Sequence, residues 1–282
     1  MFRVPGSGFL LAVRVFVVCC ALAIARAPLS AQWPRYERPG TPHTPDGKVD
    51  LNAPAPRAAD GHPDLSGVWD SRIASPRVPA PEIMSTDGAP VATFFDVGKN
   101  VPGGLPFTPW AAELRKVRLA KHDEDNPDAH CLPIGFMQLH THSQPREIVQ
   151  TPSLIVIAYE ANYGLRHIYT DGRSLPADDP QPWWYGYSVG FWDGDTLVVD
   201  TTGLKDDGWL DVAGAPFTSN ARITERFRRV NYGRLEIDVT IDDPKAYTKP
   251  WTVRVNQRLL PDAELIEFIC NENERSSSHF VP

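Results

Sequence analysis

From Arg146 onward, apolar and polar residues alternate in short runs, with turn residues between the runs. This alternation is typical of strands that bury one face, and no helical periodicity separates the runs. The pattern predicts strands at 147–150, 154–160, 165–170, 187–192, 196–201, 222–229, 234–242, 251–260 and 265–270. Short links between them favour an antiparallel meander, and closure into a barrel would leave no exposed edge.

The region before the meander predicts one further strand and one helix. The stretch DLSGVWD at 64–70 is typical of a short strand. Residues 107–122 predict a helix, because Thr108 is a good N-cap and Pro109 suits the first helical position. The predicted fold class is mainly β: an antiparallel meander that closes into a lipocalin-like β-barrel, with one short helix and a long Pro-rich N-terminal segment.

The chain divides into three parts by composition. Residues 1–31 resemble a secretory signal peptide, with a basic start, the apolar run VFVVCCALAIA and small residues after it. That run is shorter than the roughly 20 residues that span a bilayer, so we expect no stable membrane insertion after signal removal. Residues 32–63 predict a Pro-rich flexible segment with two D-G turns. Residues 64–282 predict a single barrel domain with a loop and helix insertion at 74–145.

The stretch GYSVGFWDGDTLVVDTTG at 186–203 carries three aspartates, which could form either an acidic site or a turn. Asp193 and Gly194 lie between two β-rich runs, and this dipeptide is a strong hairpin signal. An acidic metal loop would need more oxygen ligands at set spacing. We therefore predict a hairpin, in which Asp193 and Asp195 shape the turn and Asp200 lies on the returning strand.

Charge excludes some classes of partner. The formal charge is −7, and it falls to −10 without the three arginines of residues 1–31. An acidic chain lacks the basic surface that binds nucleic acid or anionic membrane. We expect a secreted or periplasmic protein with no nucleic-acid partner.

Cys131 and Cys270 are the cysteines that remain after residues 1–31 are removed. In an oxidising compartment two cysteines indicate one disulfide, and this bond would close a long loop. Two reduced, buried thiols are the alternative.

Three polar residues fall on strand faces that are otherwise apolar: Glu225, Gln257 and His167. A buried carboxylate must be paired or protonated, so we expect Glu225 to meet His167, with Gln257 as the next candidate. Glu236 should lie on the opposite face of the following strand. Such a pair is either a functional site or a structural hydrogen bond.

A second candidate cluster lies at 135–147, in the sequence GFMQLHTHSQPRE. His140 and His142 would share one face if extended, and Glu147 follows. The spacing resembles the first metal motif of cupins, in which a glutamate follows H-x-H, and such ligands suit Fe, Mn or Zn. No second cupin motif follows, and Pro145 interrupts the strand. We therefore expect no stoichiometric metal and no cofactor.

Aromatic residues are dense in PWWYGYSVGFW at 182–192. They could line the mouth of a ligand site or plug one end of the barrel, and both alternatives stay open. We place Tyr187 near the predicted cavity.

Several motifs together resemble a large family of exported bacterial proteins of unassigned function. They are TPDGK, DLSGVW, IYTDGR, GYSVGFWDGDTLVVDTTG, ITERFRR, DDPKAYTKPWT and FICNENE. The resemblance implies export and a β-rich single domain. The DLSGVW opening is also similar to the G-x-W start of lipocalin-like barrels.

These observations favour an exported barrel that binds a small apolar molecule, with His167, Glu225 and Tyr187 near the cavity. The first alternative is a hydrolase or metal-dependent enzyme that uses His140, His142 and Glu147. The second is an envelope interaction module with the Pro-rich segment as spacer. The sequence carries no G-x-S-x-G, P-loop or Rossmann glycine pattern that would favour a common enzyme class.

Overall fold

The computed structural model of the chain describes residues 36–71, 88–122, 124–176, 181–206, 208–270 and 272. The described residues from 37 onward belong to one compact unit. The predicted signal peptide lies outside the described residues. Within those residues, no helix is long and apolar enough to cross a membrane.

A closed barrel of nine strands forms the centre of this unit, in the order β1 to β9. The strands are β1 Gly67–Asp70, β2 Arg146–Gln150, β3 Leu154–Tyr159, β4 Leu165–Tyr169, β5 Tyr187–Asp193, β6 Thr196–Thr202, β7 Arg222–Asn231, β8 Arg234–Asp242 and β9 Trp251–Leu259. The α-helices are α1 Pro109–Ala120 and α2 Phe136–Thr141, and short 3₁₀ helices lie at Pro127–His130 and Ala161–Tyr163. The barrel is confirmed, and so is the predicted helix α1, where the Thr108 side chain accepts a hydrogen bond from the Ala111 amide.

Strand β1 closes the barrel between β2 and β9. Trp69 of β1 lies opposite Arg146 of β2 and opposite Leu259 of β9. The predicted strand at 265–270 is wrong, since this segment forms no strand. Strand β1 already occupies the edge of β9 to which a following strand would have paired.

The pairing of β4 with β5 is parallel, whereas the other strand pairs are antiparallel. A parallel pair needs a long crossover, which the connection at 170–186 supplies. The pairing joins only Ile168 to Ser188 and Tyr169 to Val189. The chain segments that precede these two pairs are therefore not joined by the ladder.

Helix α2 contributes side chains to the barrel interior, and all six of its residues are buried. At its start, the Gln138 side-chain oxygen accepts a hydrogen bond of 2.9 Å from the Gly135 amide. A Cβ atom on Gly135 would lie 1.4 Å from the Trp209 carbonyl oxygen, so only glycine fits there. The extended conformation considered for His140 and His142 is therefore wrong, because His140 lies within a helix and His142 follows its end.

The part of the Pro-rich segment that the structure describes folds against the barrel. Two turns repeat the same backbone hydrogen bond, in which an amide donates to the carbonyl oxygen four residues further on. The Thr44 amide donates to the Lys48 carbonyl oxygen at 2.8 Å, and the Ala58 amide donates to the His62 carbonyl oxygen at 2.9 Å. Both D-G turns are confirmed, with glycines of positive φ at their centres. The segment is fixed by ion pairs and backbone hydrogen bonds to barrel residues, rather than lying free as the composition predicted: Arg38 to Glu147, Arg57 to Asp195, Tyr232 to Ala53 and Gly233 to Leu51.

The hairpin between β5 and β6 is confirmed. Asp193 pairs with Thr196 in the ladder, and Gly194 between them has a φ of +59°. The three aspartates of this stretch serve separate contacts: Asp193 binds Arg226, Asp195 binds Arg57, and Asp200 binds Arg222 and Thr224. They form no common acidic site.

A disulfide joins Cys131 to Cys270, as the sequence predicted, with the Cα atoms 5.6 Å apart. The bond connects the loop before α2 to the segment that follows β9. Nearby, the Ile266 amide donates a hydrogen bond of 3.2 Å to Glu160. The end of the described chain is thus held at the same side of the barrel as the segment that leads into α2.

We expect that Cys131→Ser combined with Cys270→Ser will lower the free energy of unfolding by about 2–5 kcal/mol, because the unfolded chain loses a long covalent loop. Denaturant titration would measure the loss, and reduced wild-type protein should show a similar one. Non-reducing peptide mapping should recover a peptide that joins the two cysteines. Free thiols at both positions in oxidised protein would contradict the assignment.

Candidate functional site

Glu225 lies inside the barrel, as the sequence predicted, and its side chain is 0% exposed. It projects from β7 on the same face as Ile223 and Phe227, which are also buried. Arg166 donates two hydrogen bonds to the carboxylate, from Nη1 to Oε1 at 3.0 Å and from Nη2 to Oε2 at 2.6 Å. This bidentate pair is the strongest geometry available to a buried carboxylate.

Arg166 rather than His167 faces the interior from β4, so the predicted His167–Glu225 contact is wrong. Arg166 and Ile168 are buried, whereas Leu165 and His167 are exposed. The face that carries Leu165 and His167 has the more apolar sequence, yet it is the outer face of this strand. The signal that the sequence did offer is the need of a buried carboxylate for a cationic partner, which favours an inward-facing arginine on a neighbouring strand.

His140 is the second partner of Glu225. Its Nε2 lies 2.7 Å from Oε1 of Glu225. A carboxylate can only accept, so Nε2 carries the hydrogen and Nδ1 is left as an acceptor. Among the described residues Nδ1 has no hydrogen-bond partner. Helix α2 thus brings to Glu225 a histidine that the sequence offered only as a candidate metal ligand.

The backbone of His140 is held as firmly as its ring. Arg146 Nη1 donates a hydrogen bond of 2.6 Å to the His140 carbonyl oxygen, and Gln257 Nε2 donates one of 2.9 Å to the same atom. Gln257 faces the interior as predicted, although it reaches Glu225 only through His140. Arg146 also binds the carbonyl oxygens of His142 and Gln144, so one buried arginine fixes the loop that follows α2.

The protonation states follow from burial and pairing. Burial alone would raise the pKa of Glu225, but the charge of Arg166 and the hydrogen bond from His140 outweigh it and lower this pKa to about 2. Burial lowers the pKa of His140, against the opposing effect of Glu225. Burial disfavours the charged form of Arg166 and would lower its pKa, but the charge of Glu225 outweighs this effect and raises the pKa above its ordinary value. The cluster therefore holds one cation, one anion and a neutral imidazole.

The three residues considered for metal binding are not brought together. His140 binds Glu225, while Glu147 forms a 2.6 Å ion pair with Arg38. His142 Nδ1 accepts a hydrogen bond of 3.0 Å from the Gln144 amide. The described ranges contain no group of three His, Cys, Asp or Glu side chains that could hold a metal ion.

A cleft of about 200 Å³ lies between β4 and the segment that leads into β5. Arg166 and Ser188 form its buried floor, and Arg166 Nη2 donates a hydrogen bond of 3.2 Å to the Ser188 hydroxyl. Its remaining walls are mostly aromatic: Pro133, Leu165, His167, Tyr169, Trp183, Trp184, Tyr185, Gly186 and Tyr187. His167 and Tyr187 thus lie at the same cleft, although neither touches Glu225.

The aromatic segment at 182–192 forms a wall of this cleft. Of the two alternatives for this segment, this position favours lining the mouth of a ligand site over plugging one end of the barrel. Tyr169 and Tyr187 stack with their ring centroids 5.2 Å apart. Arg173 covers Tyr169 at 3.8 Å and donates a hydrogen bond of 3.0 Å to the Tyr187 hydroxyl. These contacts hold the outer rim in place without filling the cleft.

The fold and the site together define a closed β-barrel protein with a cleft in its wall, behind which lies a buried ion pair. Comparisons with protein-family models, curated proteins and solved structures found no match. The resemblance to a family of exported bacterial proteins therefore stays a prediction.

We expect Glu225→Gln to lower the free energy of unfolding by about 3–5 kcal/mol, because it leaves the buried charge of Arg166 without a counter-charge. Adding Arg166→Met to this variant should recover part of the loss, with a coupling energy of about 0.5–3 kcal/mol. Denaturant titrations of the four proteins in this cycle would measure it. Purely additive losses would contradict a direct ion pair.

The control for this cycle is Glu113→Gln on helix α1, where the side chain is 65% exposed, and its effect should stay below about 0.5 kcal/mol. Glu236 cannot serve as control. It lies on the outer face as predicted, but it is 3% exposed and paired with Arg228 and Arg234.

We also expect acid to destabilise the fold through both members of the cluster. Below the ordinary histidine pKa of 6.5, the unfolded chain takes up a proton that buried His140 refuses, so stability falls with pH. The contribution of Glu225 is complete above its ordinary pKa of 4.5 and is lost as pH falls towards about 2. Between about pH 7.5 and pH 5, the free energy of unfolding of the wild type should fall by up to about 2 kcal/mol more than that of the His140→Gln variant. Parallel stability curves for the two proteins would contradict a neutral, buried His140.

Proposed function

We propose that this protein is an exported binding protein that takes a small, largely apolar molecule into the cleft between β4 and β5. The observation that carries the proposal is the cleft itself, which combines aromatic walls with a buried polar floor. Ligand sites typically have this composition, since apolar walls supply affinity and a few polar groups fix orientation.

The size of the cleft limits the ligand. Pockets for drug-sized ligands enclose about 300–1,000 Å³, whereas an engineered cavity of about 150 Å³ holds benzene. A cleft of about 200 Å³ suits a molecule of about one aromatic ring with a short substituent. The site lies in the wall rather than at the centre of the barrel, because the buried side chains of α2 occupy interior space.

The ion pair behind the cleft supports binding by keeping the floor rigid. Arg166 is held by both oxygens of Glu225 and by Ser188, so its position does not depend on a ligand. A preorganised site binds more tightly because little ordering is left to pay for on association.

The enzyme alternative has less support. His140 and Glu225 have the residue types of an acid–base pair, but their side chains are 1% and 0% exposed, and neither lines the cleft. A general base must come within hydrogen-bond reach of its substrate. The two residues are better placed to position Arg166 than to react. No observation specifically favours the envelope interaction module.

Export remains part of the proposal. The disulfide between Cys131 and Cys270 supports an oxidising compartment, because such bonds persist in secreted and periplasmic proteins. The acidic charge and the motifs shared with exported bacterial proteins point to the same compartment.

The test is binding of cumene, a single ring with a short apolar branch, measured by calorimetry on the full chain without residues 1–31. Leu165→Trp places a bulky ring at the mouth and should weaken binding at least about tenfold, which corresponds to about 1.4 kcal/mol. Val149→Trp is the matched control, since Val149 is similarly exposed on β2 but does not line the cleft. Equal weakening by both variants, or wild-type protein that binds no cumene, would refute the proposal.

A further inference from the structure

The backbone groups of β4 that face the cleft can be identified from the hydrogen bonds at the two ends of this strand. On the β3 side, the Tyr159 amide donates to the Gly164 carbonyl oxygen at 2.7 Å, and the Thr170 amide donates to the Ser153 carbonyl oxygen at 3.0 Å. Hydrogen-bonded and non-hydrogen-bonded positions alternate along an antiparallel ladder. The register between β3 and β4 is unbroken, so the even-numbered residues of β4 direct their backbone groups to β3 and the odd-numbered residues direct theirs to the opposite edge.

Leu165 presents both its amide and its carbonyl oxygen on this opposite edge. The ladder between β4 and β5 begins only where Ile168 lies opposite Ser188. Ahead of that point the chain of β5 turns away at Gly186, which has a φ of +67° and whose amide donates to the Trp183 carbonyl oxygen. Among the described residues, no hydrogen bond joins the Leu165 backbone to another group. The start of β4 is therefore an open strand edge.

This open edge borders the cleft and is short. Leu165 lines the cleft, which lies between β4 and the segment that leads into β5, and it is 51% exposed. The 3₁₀ helix Ala161–Tyr163 precedes the edge, and the ladder at Ile168 follows it. From Leu165 to His167 a strand extends about 7 Å. The edge therefore has room for one residue of an extended chain rather than for a long peptide.

One extended amino-acid residue has the hydrogen-bonding groups that match this edge. Its N–H and C=O point to the same side, and together they pair with the carbonyl oxygen and amide of the residue opposite. A single trans amide group lacks this match, because its N–H and C=O point in opposite directions. Open strand edges are templates for pairing, and proteins use them to bind extended peptide groups.

Resting on the proposed function, we propose that the cleft binds a small amino-acid derivative, capped at both ends, which pairs with Leu165 as an added strand would. The N–H of its residue donates to the Leu165 carbonyl oxygen, and its C=O accepts from the Leu165 amide. Its aromatic side chain enters the cleft, whose aromatic walls supply the apolar contact. The caps keep the ligand neutral, because a free ammonium or carboxylate would lose hydration on entering an aromatic site.

Three derivatives of N-acetylphenylalanine test this pairing by calorimetry on the full chain without residues 1–31. The parent probe is the methylamide. The methyl ester lacks only the C-terminal N–H, which points away from Leu165, so it should bind nearly as tightly as the parent. A methyl group on the acetylated nitrogen removes the N–H that faces Leu165, so this probe should bind at least about tenfold more weakly than the parent.

Leu165→Pro tests the same pairing from the side of the protein, because it removes the amide hydrogen that faces the cleft and no hydrogen bond to β3. Proline is tolerated as the first residue of a strand, and Gly164, with a ψ of 132°, already has the conformation favoured before proline. Leu165→Ala is the matched control, since it also shortens the side chain but keeps the amide. Compared with Leu165→Ala, Leu165→Pro should bind the parent probe severalfold more weakly and cumene equally well.

The outcomes separate this inference from the proposed function. Equal binding of the parent and the N-methylated probe, or equal binding of the parent by the two variants, would overturn the pairing with Leu165. Binding of cumene without binding of any phenylalanine probe would also overturn it, while leaving apolar binding in place. Failure of cumene and of all three probes would overturn both proposals. Melting curves verify that the variants are folded, and if Leu165→Pro does not fold, the comparison of the three probes on the wild type decides.

Discussion

The bidentate contact between Arg166 and Glu225 is the constraint on which the rest of the barrel interior depends. Burying either charge without a counter-charge is strongly unfavourable. The two side chains meet because β4 and β7 direct them into the same barrel interior. Once paired, they set the position of the His140 ring, and hence of helix α2. The same arginine forms the floor of the cleft. One ion pair therefore joins the packing of the interior to the geometry of the candidate binding site.

A short helix inside a barrel poses a problem of backbone hydrogen bonding, since its last carbonyl groups have no partners within the helix. Two polar side chains answer it here, because Arg146 and Gln257 both donate to the His140 carbonyl oxygen. Their burial is thus explained by the end of α2 rather than by contact with a ligand. The polar residues of the interior form two groups, one that completes the helix and one that backs the cleft.

Alternation in the strands was enough to predict the barrel, most strand positions and the inward direction of Glu225 and Gln257. It failed where the pattern and the chemistry disagreed. In β4, exposed Leu165 and buried Arg166 reverse the usual preference, because an ion pair outweighs the hydrophobicity of one leucine. Helix α2 is too short to show a helical period, so His140 looked like part of a strand. The parallel pairing of β4 and β5, and with it the cleft, depends on contacts that are distant along the chain and leave no local signal.

The seam between β1 and β9 has a consequence for how the chain folds. Trp69 of β1 lies opposite Leu259 of β9, so β1 cannot complete its pairing until β9 has been synthesised. Such distant pairing folds slowly, because a long loop must be closed before the contact stabilises anything. Until then both strands carry open edges that could pair with other chains. The seam thus favours folding of the whole chain at once, after it has emerged in full, over folding strand by strand during synthesis.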